Sequence, residues 1–238
     1  MKKKNPAVST QRLSVAFDIK EAFAAREAYR SIRTNLGFSV LKEGCKKIVF
    51  TSAVPGEGKT TSVVNLAISM AQTENRVLLI DNDLRKPRIH SVFGFQSAPG
   101  VSNVLGRMSS LSDAIHHTKY QNLDVLCAGD KVANPAEMVT SKVMIQMVEQ
   151  LAMVYDYIFI DAPPLNIVSD AIPMSKFADG AVLVVRNMSS TYASVEKAVN
   201  SLRFVEANIL GVILNDAQSD ATDNHYGKYG KYGKYGNS

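Results

Sequence analysis

Six short runs of β-forming residues do most to limit how this chain can fold. They are KIVFTS at 47–52, RVLLID at 76–81, LDVLCA at 123–128, YIFIDA at 157–162, GAVLVV at 180–185 and ILGVIL at 209–214. Each is nearly continuous in apolar character, as expected for strands covered on both faces of a parallel sheet. Between them lie stretches with helical spacing near 59–72, 135–153, 168–177 and 190–206. A further stretch at 19–41 has few breakers and recurring apolar positions: Ile19, Phe23, Tyr29, Ile32, Leu36 and Val40. The spacing predicts a helix there too. Strand and helix in alternation predict a doubly wound α/β domain with a mostly parallel sheet, which binds ligands at the carboxyl ends of its strands. The chain has 238 residues, 46% of them hydrophobic, enough for a sizeable core. The expected layout is a loose basic arm over 1–18, the α/β body over 19–215 and a disordered, glycine-rich tail over 216–238.

Composition excludes several classes. Cys45 and Cys127 are isolated, with no CxxC pair and no histidine cluster. That argues against structural zinc and a disulfide framework, and suits a reducing cytosol. No apolar run reaches about 18 residues. The start, MKKKNPAVST, is basic but is followed by no hydrophobic segment, so no secretion signal is expected. The net charge is +5, with lysines at both ends. Such ends fit an acidic partner, anionic lipid headgroups, or solubility alone.

The first strand runs into TSAVPGEGKTT and then a helical stretch. The phosphate-loop pattern is G-x-x-x-x-G-K-[ST]. Ala53 stands in place of the first glycine, and the remainder is intact. Gly56 and Gly58 let backbone N–H groups turn inward around phosphate oxygens, and the helix that follows presents its positive end to them. Pro55, Gly56, Glu57, Gly58, Lys59, Thr60 and Thr61 form the candidate nucleotide site. Lys59 is placed to neutralise the β- and γ-phosphates and Thr60 to reach Mg²⁺.

Two strands end in acid. VLLIDNDLRKP sets Asp81 and Asp83 at the mouth of one, and YIFIDAPP sets Asp161 at the mouth of another. A single such Asp is usually a turn or cap residue. Three at the edge that carries a phosphate loop suit Mg²⁺, which takes oxygen ligands and one or two carboxylates. Asp161 and Asp83 are candidate metal ligands beside Thr60. Asp81 directly ends its strand and is favoured as the base that takes a proton from an incoming hydroxyl. Sequence alone does not divide the roles of Asp81 and Asp83.

The chain nearly closes on HYGKYGKYGKYG, which places Tyr226, Tyr229, Tyr232 and Tyr235 three residues apart. The triplets are too few, and lack the proline, for a collagen helix. Lysine with tyrosine would also serve a nucleic-acid arm, and a polar disordered end needs no function at all.

Taken in order, EAYRSIRTNL, AVPGEGKT, LLIDNDLRKP, NPAEMVTS, YDYIFIDAPP and GVILN resemble the blocks of the bacterial tyrosine kinases of capsular and exopolysaccharide synthesis. The resemblance runs from Glu27 to Asn215 and includes the tail. It implies ATP- and Mg²⁺-dependent autophosphorylation of the tail tyrosines in trans, and phosphorylation of other protein substrates, with no nucleic acid among the partners. It further implies that Asn215 contacts adenine, and that Glu27, Arg30 and Arg33 meet a neighbouring copy in a ring-shaped homo-oligomer. Arg85 and Lys86 would face the tail or an activator. The family's kinases occur fused to a membrane domain or split from it, and this chain is similar to the split form. The implied partners are a transmembrane activator of the polysaccharide co-polymerase type and a cognate tyrosine phosphatase, and the implied place is the inner face of the membrane. Val54 stands where the partitioning and cell-division ATPases carry an extra lysine. The competing readings are an ATPase switch of that kind with a basic binding tail, and a non-catalytic scaffold.

Overall fold

The computed structural model describes residues 15–19, 22–168 and 171–217. The strands are β1 (Lys46–Ser52), β2 (Val77–Asp81), β3 (Ile115–His117), β4 (Leu123–Leu126), β5 (Tyr157–Asp161), β6 (Gly180–Arg186) and β7 (Ile209–Asn215). They form one sheet in the order β3-β4-β2-β5-β1-β6-β7, parallel throughout except for β3 against β4. The helices are α1 (Phe23–Ser39), α2 (Lys59–Ala71), α3 (Ile89–Phe93), α4 (Val101–Leu105), α5 (Leu111–Ala114), α6 (Pro135–Val139), α7 (Lys142–Leu151), α8 (Ala171–Phe177) and α9 (Tyr192–Phe204). None of them is long and apolar enough to cross a membrane.

The six apolar runs all become strands, and the sheet is covered on both faces. Ile48, Phe50, Val77, Leu79 and Phe159 pack with the buried side of α2 and with Leu36 of α1. Their neighbours Val49, Leu78, Ile80, Ile158 and Ile160 point the other way, against α7, α8 and α9. Phe50 and Phe159 meet edge to face, ring centres 5.0 Å apart, at the centre of the first layer.

Several features depart from the expected pattern, among them the short helices α3, α4 and α5, which lie where no helix is expected. The stretch 135–153 is two helices: Pro135 starts α6, and Ser141 caps α7 by accepting from the N–H of Met144 at 3.2 Å. A serine that bonds the backbone ahead of it favours a new start over continuation. The antiparallel β3 has only three residues, IHH, and carries no apolar run from which to predict it.

Long-range contacts fix both flanks of the sheet. The segment Val15–Ile19 lies over α2, where the N–H of Ala16 donates to Asn65 Oδ1 at 2.7 Å. Asp18 then accepts from Lys119 Nζ and from the Tyr120 hydroxyl, which ties this segment to the β3–β4 turn. On the opposite face Asn103 braces the loop after β4. Its Oδ1 accepts from the N–H groups of Gly100 and Asp130, and its Nδ2 donates to Asp130 Oδ2 at 2.7 Å. Asn103→Ala would leave the buried N–H of Gly100 and the part-buried N–H of Asp130 without their acceptor, so stability should fall by about 1–3 kcal/mol. Urea unfolding measures this, and a loss below about 0.5 kcal/mol would show that solvent replaces the amide.

Candidate nucleotide and phosphoryl-transfer site

The strand order creates the site. β5 lies between β1 and β2, and Asp81 stands in register with Asp161. The loop from Ala53 to Gly58 leaves β1 and turns straight into α2, whose first residue is Lys59. Gly56 and Gly58 have φ of 86° and 82°, the left-handed region that favours glycine. Gly58 is also crowded: a Cβ there would lie 2.0 Å from Asn215 Nδ2.

Lys59 and Thr60 both reach Asp161. Lys59 Nζ donates to Oδ1, and Thr60 Oγ1 donates to Oδ2 at 2.7 Å. Lys59 and Asp161 are 7% and 1% exposed, so the pair is buried. Asp81 is fully buried, and its carboxylate accepts from the backbone N–H groups of Asp83, Arg88 and Ile89. Asp83, itself largely buried, accepts from the N–H of Lys86 at 3.0 Å. Burial raises Asp161 above the usual carboxylate range, against the pull of Lys59. Asp81, pressed by burial and by the charge of Asp161, is pushed up to about 7.

The donors fit magnesium. Thr60, Asp161 and Asp83 offer oxygens at the edge of the phosphate loop. No group of three His, Cys, Asp or Glu side chains able to hold a metal occurs among the described residues. A cation here would therefore draw its remaining oxygens from phosphate and water, as Mg²⁺ usually does.

Other expected residues fall around this centre. Asn215, at the end of β7, donates through Nδ2 to the carbonyl of Glu57 at 3.0 Å, so it flanks the phosphate loop. On α1, Glu27 and Arg30 pair at the surface, whereas Arg33 turns inward and donates to the carbonyl of Ser69 on α2 at 2.7 Å. Tyr226, Tyr229, Tyr232 and Tyr235 lie outside the described residues. One contact was not foreseen. Glu57 is 1% exposed; its Oε2 accepts from the N–H of Val54 at 2.9 Å, and its Oε1 accepts from the hydroxyl of Ser190 in the β6–α9 loop. No local pattern could have joined two residues so distant in sequence.

Two outcomes follow from this geometry. Gly58→Ala should abolish nucleotide binding by forcing both the loop and Asn215 to shift, which calorimetric titration with Mg-ADP would read. Asp81 has its folded pKa raised from the usual 3.8 to about 7, so it favours the folded state below pH 4 and loses that contribution as pH rises through 7. Wild-type thermal stability should therefore decline across that window relative to Asp81→Asn. Parallel curves would show that Asp81 titrates normally.

Residues 45–210 match the AAA domain family. The chain is 37% identical over 213 residues to the tyrosine-protein kinase YwqD of Bacillus subtilis (strain 168), covering 90% of each. The crystal structure of the chimerical protein CapA2B2 superposes with a TM-score of 0.78 at 36% identity, over 81% of this chain and 85% of that one. The septum site-determining protein MinD from Pyrococcus horikoshii OT3, solved complexed with Mg-ADP, superposes with a TM-score of 0.63 at 25% identity, over 75% of this chain and 73% of that one. The fold thus supports binding of nucleotide with magnesium. Sequence agreement with a kinase across nine-tenths of both chains decides between the readings that the phosphate loop alone left open: this chain belongs to the bacterial tyrosine kinase family and is a protein-tyrosine kinase.

Proposed function

We propose that the chain transfers the γ-phosphate of ATP to Tyr226, Tyr229, Tyr232 and Tyr235 of a neighbouring copy, and so regulates synthesis and export of a capsular polysaccharide or exopolysaccharide. One observation carries this reading. β7 ends at the same sheet edge as Lys59, Asp81 and Asp161, and its last residue, Asn215, is bonded to the phosphate loop. The tyrosine-bearing segment is therefore attached at the rim of the site that would modify it.

Each residue has a definite part in this reading. Lys59 leaves Asp161 to neutralise the β- and γ-phosphates. Thr60, Asp161 and Asp83 would hold Mg²⁺, which when bound would neutralise charge on the phosphates. Asp81 receives the phenol proton as the tyrosine oxygen bonds to the γ-phosphorus and the bond to the β–γ bridging oxygen breaks, releasing ADP. Glu57 and the loop N–H groups fix the cradle, and Asn215 turns to the adenine. The exposed Glu27–Arg30 pair forms the contact between copies in a ring, while Arg33 anchors α1 on its own subunit. A transmembrane activator would hold the enzyme at the inner face of the membrane, and a tyrosine phosphatase would reset it. The partitioning type of ATPase is disfavoured by Val54, which stands where those proteins carry an extra lysine.

The reading is tested with two chains. One is active, with its four tail tyrosines changed to Phe; the other carries Lys59→Met and keeps its tyrosines. After incubation with Mg-ATP and the activator's cytoplasmic segment, mass spectrometry should find phosphotyrosine on the inactive chain. If wild type labels itself but the inactive chain stays unmodified, transfer occurs within one subunit and the ring is excluded. Asp161→Asn should weaken Mg-nucleotide binding, whereas Asp81→Asn should spare binding and lower turnover at least tenfold. Equal loss of affinity in both would remove Asp81 from the role of base.

A further inference from the structure

Five of the nine tyrosines lie among the described residues: Tyr29, Tyr120, Tyr155, Tyr157 and Tyr192. Four are unsuited to phosphorylation. The Tyr120 hydroxyl donates to Asp18 at 2.6 Å and that of Tyr155 to Asp124 at 2.7 Å. Tyr157 is 8% exposed, and Tyr29 is partly buried among residues of the α2-side core. Tyr192 is 83% exposed.

Its position connects it to the catalytic edge. Tyr192 is the first residue of α9, next to Thr191, whose hydroxyl caps the helix by accepting from the N–H of Ser194. Two residues before it, Ser190 donates to the buried carboxylate of Glu57 in the phosphate loop. A change of charge at residue 192 therefore falls two residues from the side chain that is bonded to the phosphate loop.

We propose that Tyr192 is a second phosphoacceptor of this kinase, outside the tail, and that its phosphate lowers affinity for Mg-ATP as negative feedback. The chemistry is that of the established activity. The Tyr192 phenol oxygen bonds to the γ-phosphorus of ATP, the bond to the bridging oxygen breaks, ADP leaves and the phenol proton passes to the base. The product gains about −1.5 to −2 charges. The amino end of α9 tolerates an anion there, because the positive end of the helix dipole favours one. The triphosphate does not: Glu57 already places one negative charge in the wall of its loop, and two more beside Ser190 oppose its approach. The proposal rests on the tyrosine kinase activity and does not depend on the tail tyrosines being substrates.

Trypsin cleaves after Arg186 and Lys197, which releases Asn187–Lys197 with Tyr192 as its only tyrosine. Wild type, the variant with all four tail tyrosines changed to Phe, and Lys59→Met are each incubated with Mg-ATP and the activator segment, then mapped. Phosphate on Tyr192 is expected in the first two and not in the third. A labelled wild-type tail with an unmodified Asn187–Lys197 peptide overturns the proposal and leaves the kinase intact. No label on either peptide overturns both. Affinity for a fluorescent ADP analogue with Mg²⁺ is then compared between phosphorylated and phosphatase-treated samples of the tail-Phe variant. The phosphorylated form should bind roughly tenfold more weakly at low ionic strength, and the gap should narrow as salt screens the charge. Adding Tyr192→Phe to that variant should abolish the difference. Equal affinities would overturn the feedback role.

Discussion

The site depends on one buried ion pair. Lys59 and Asp161 would each be costly to bury alone, since an unpaired charge in a low-dielectric interior is strongly destabilising. Together, with Thr60 on the second carboxylate oxygen, they satisfy each other and fasten the phosphate loop to the central strand. On the proposed reading the pair would also give the loop two states. In the structure the ammonium occupies the carboxylate; in the proposed reaction the phosphates would compete for the ammonium and a cation for the carboxylate. A modest Coulomb difference can move that exchange either way, because neither partner can be abandoned without replacement.

Around this pair the loop is held on two sides by side chains remote in sequence. Ser190 reaches Glu57 from the β6–α9 loop, and Asn215 reaches the Glu57 carbonyl from β7. The wall that would receive the phosphates and the strand ends that would frame the base are therefore mechanically joined. Asp81 shows the opposite balance. Three backbone donors favour its charge, yet complete burial and Asp161 outweigh them and leave it near neutrality in its proton equilibrium. A carboxylate of that kind is poised to accept a proton.

Much of this was legible in the sequence because the signals are local. An apolar run, two glycines and a Lys-Thr pair within a dozen residues specify strand, turn and helix, and the fold places Lys59 and Thr60 where that pattern requires. Asp161 was legible as an acid ending a buried strand. The short β3 was not, because three residues IHH carry no periodicity, nor was the break at Ser141, where one side chain redirects an otherwise continuous helical pattern. Ser190 escaped because its partner lies 133 residues away and neither flank marks the contact. Arg33 shared a spacing with Glu27 and Arg30 but not their surroundings: only packing against α2 shows that it is turned toward Ser69.

The strand order has a consequence for the birth of the protein. Lys59 and Asp161 are 102 residues apart, and the central strand β5 is translated long after the phosphate loop. While β1, α2 and β2 are emerging from the ribosome, β1 and β2 have no strand between them, and the loop has no carboxylate to close on. Pairing across such distances is slow compared with local helix formation, because the chain entropy of closure is lost before any contact is gained. If these residues act as proposed, nascent fragments would be kept from acting as kinases by topology alone: the two halves of the candidate site are separated by the time it takes to synthesise what lies between them.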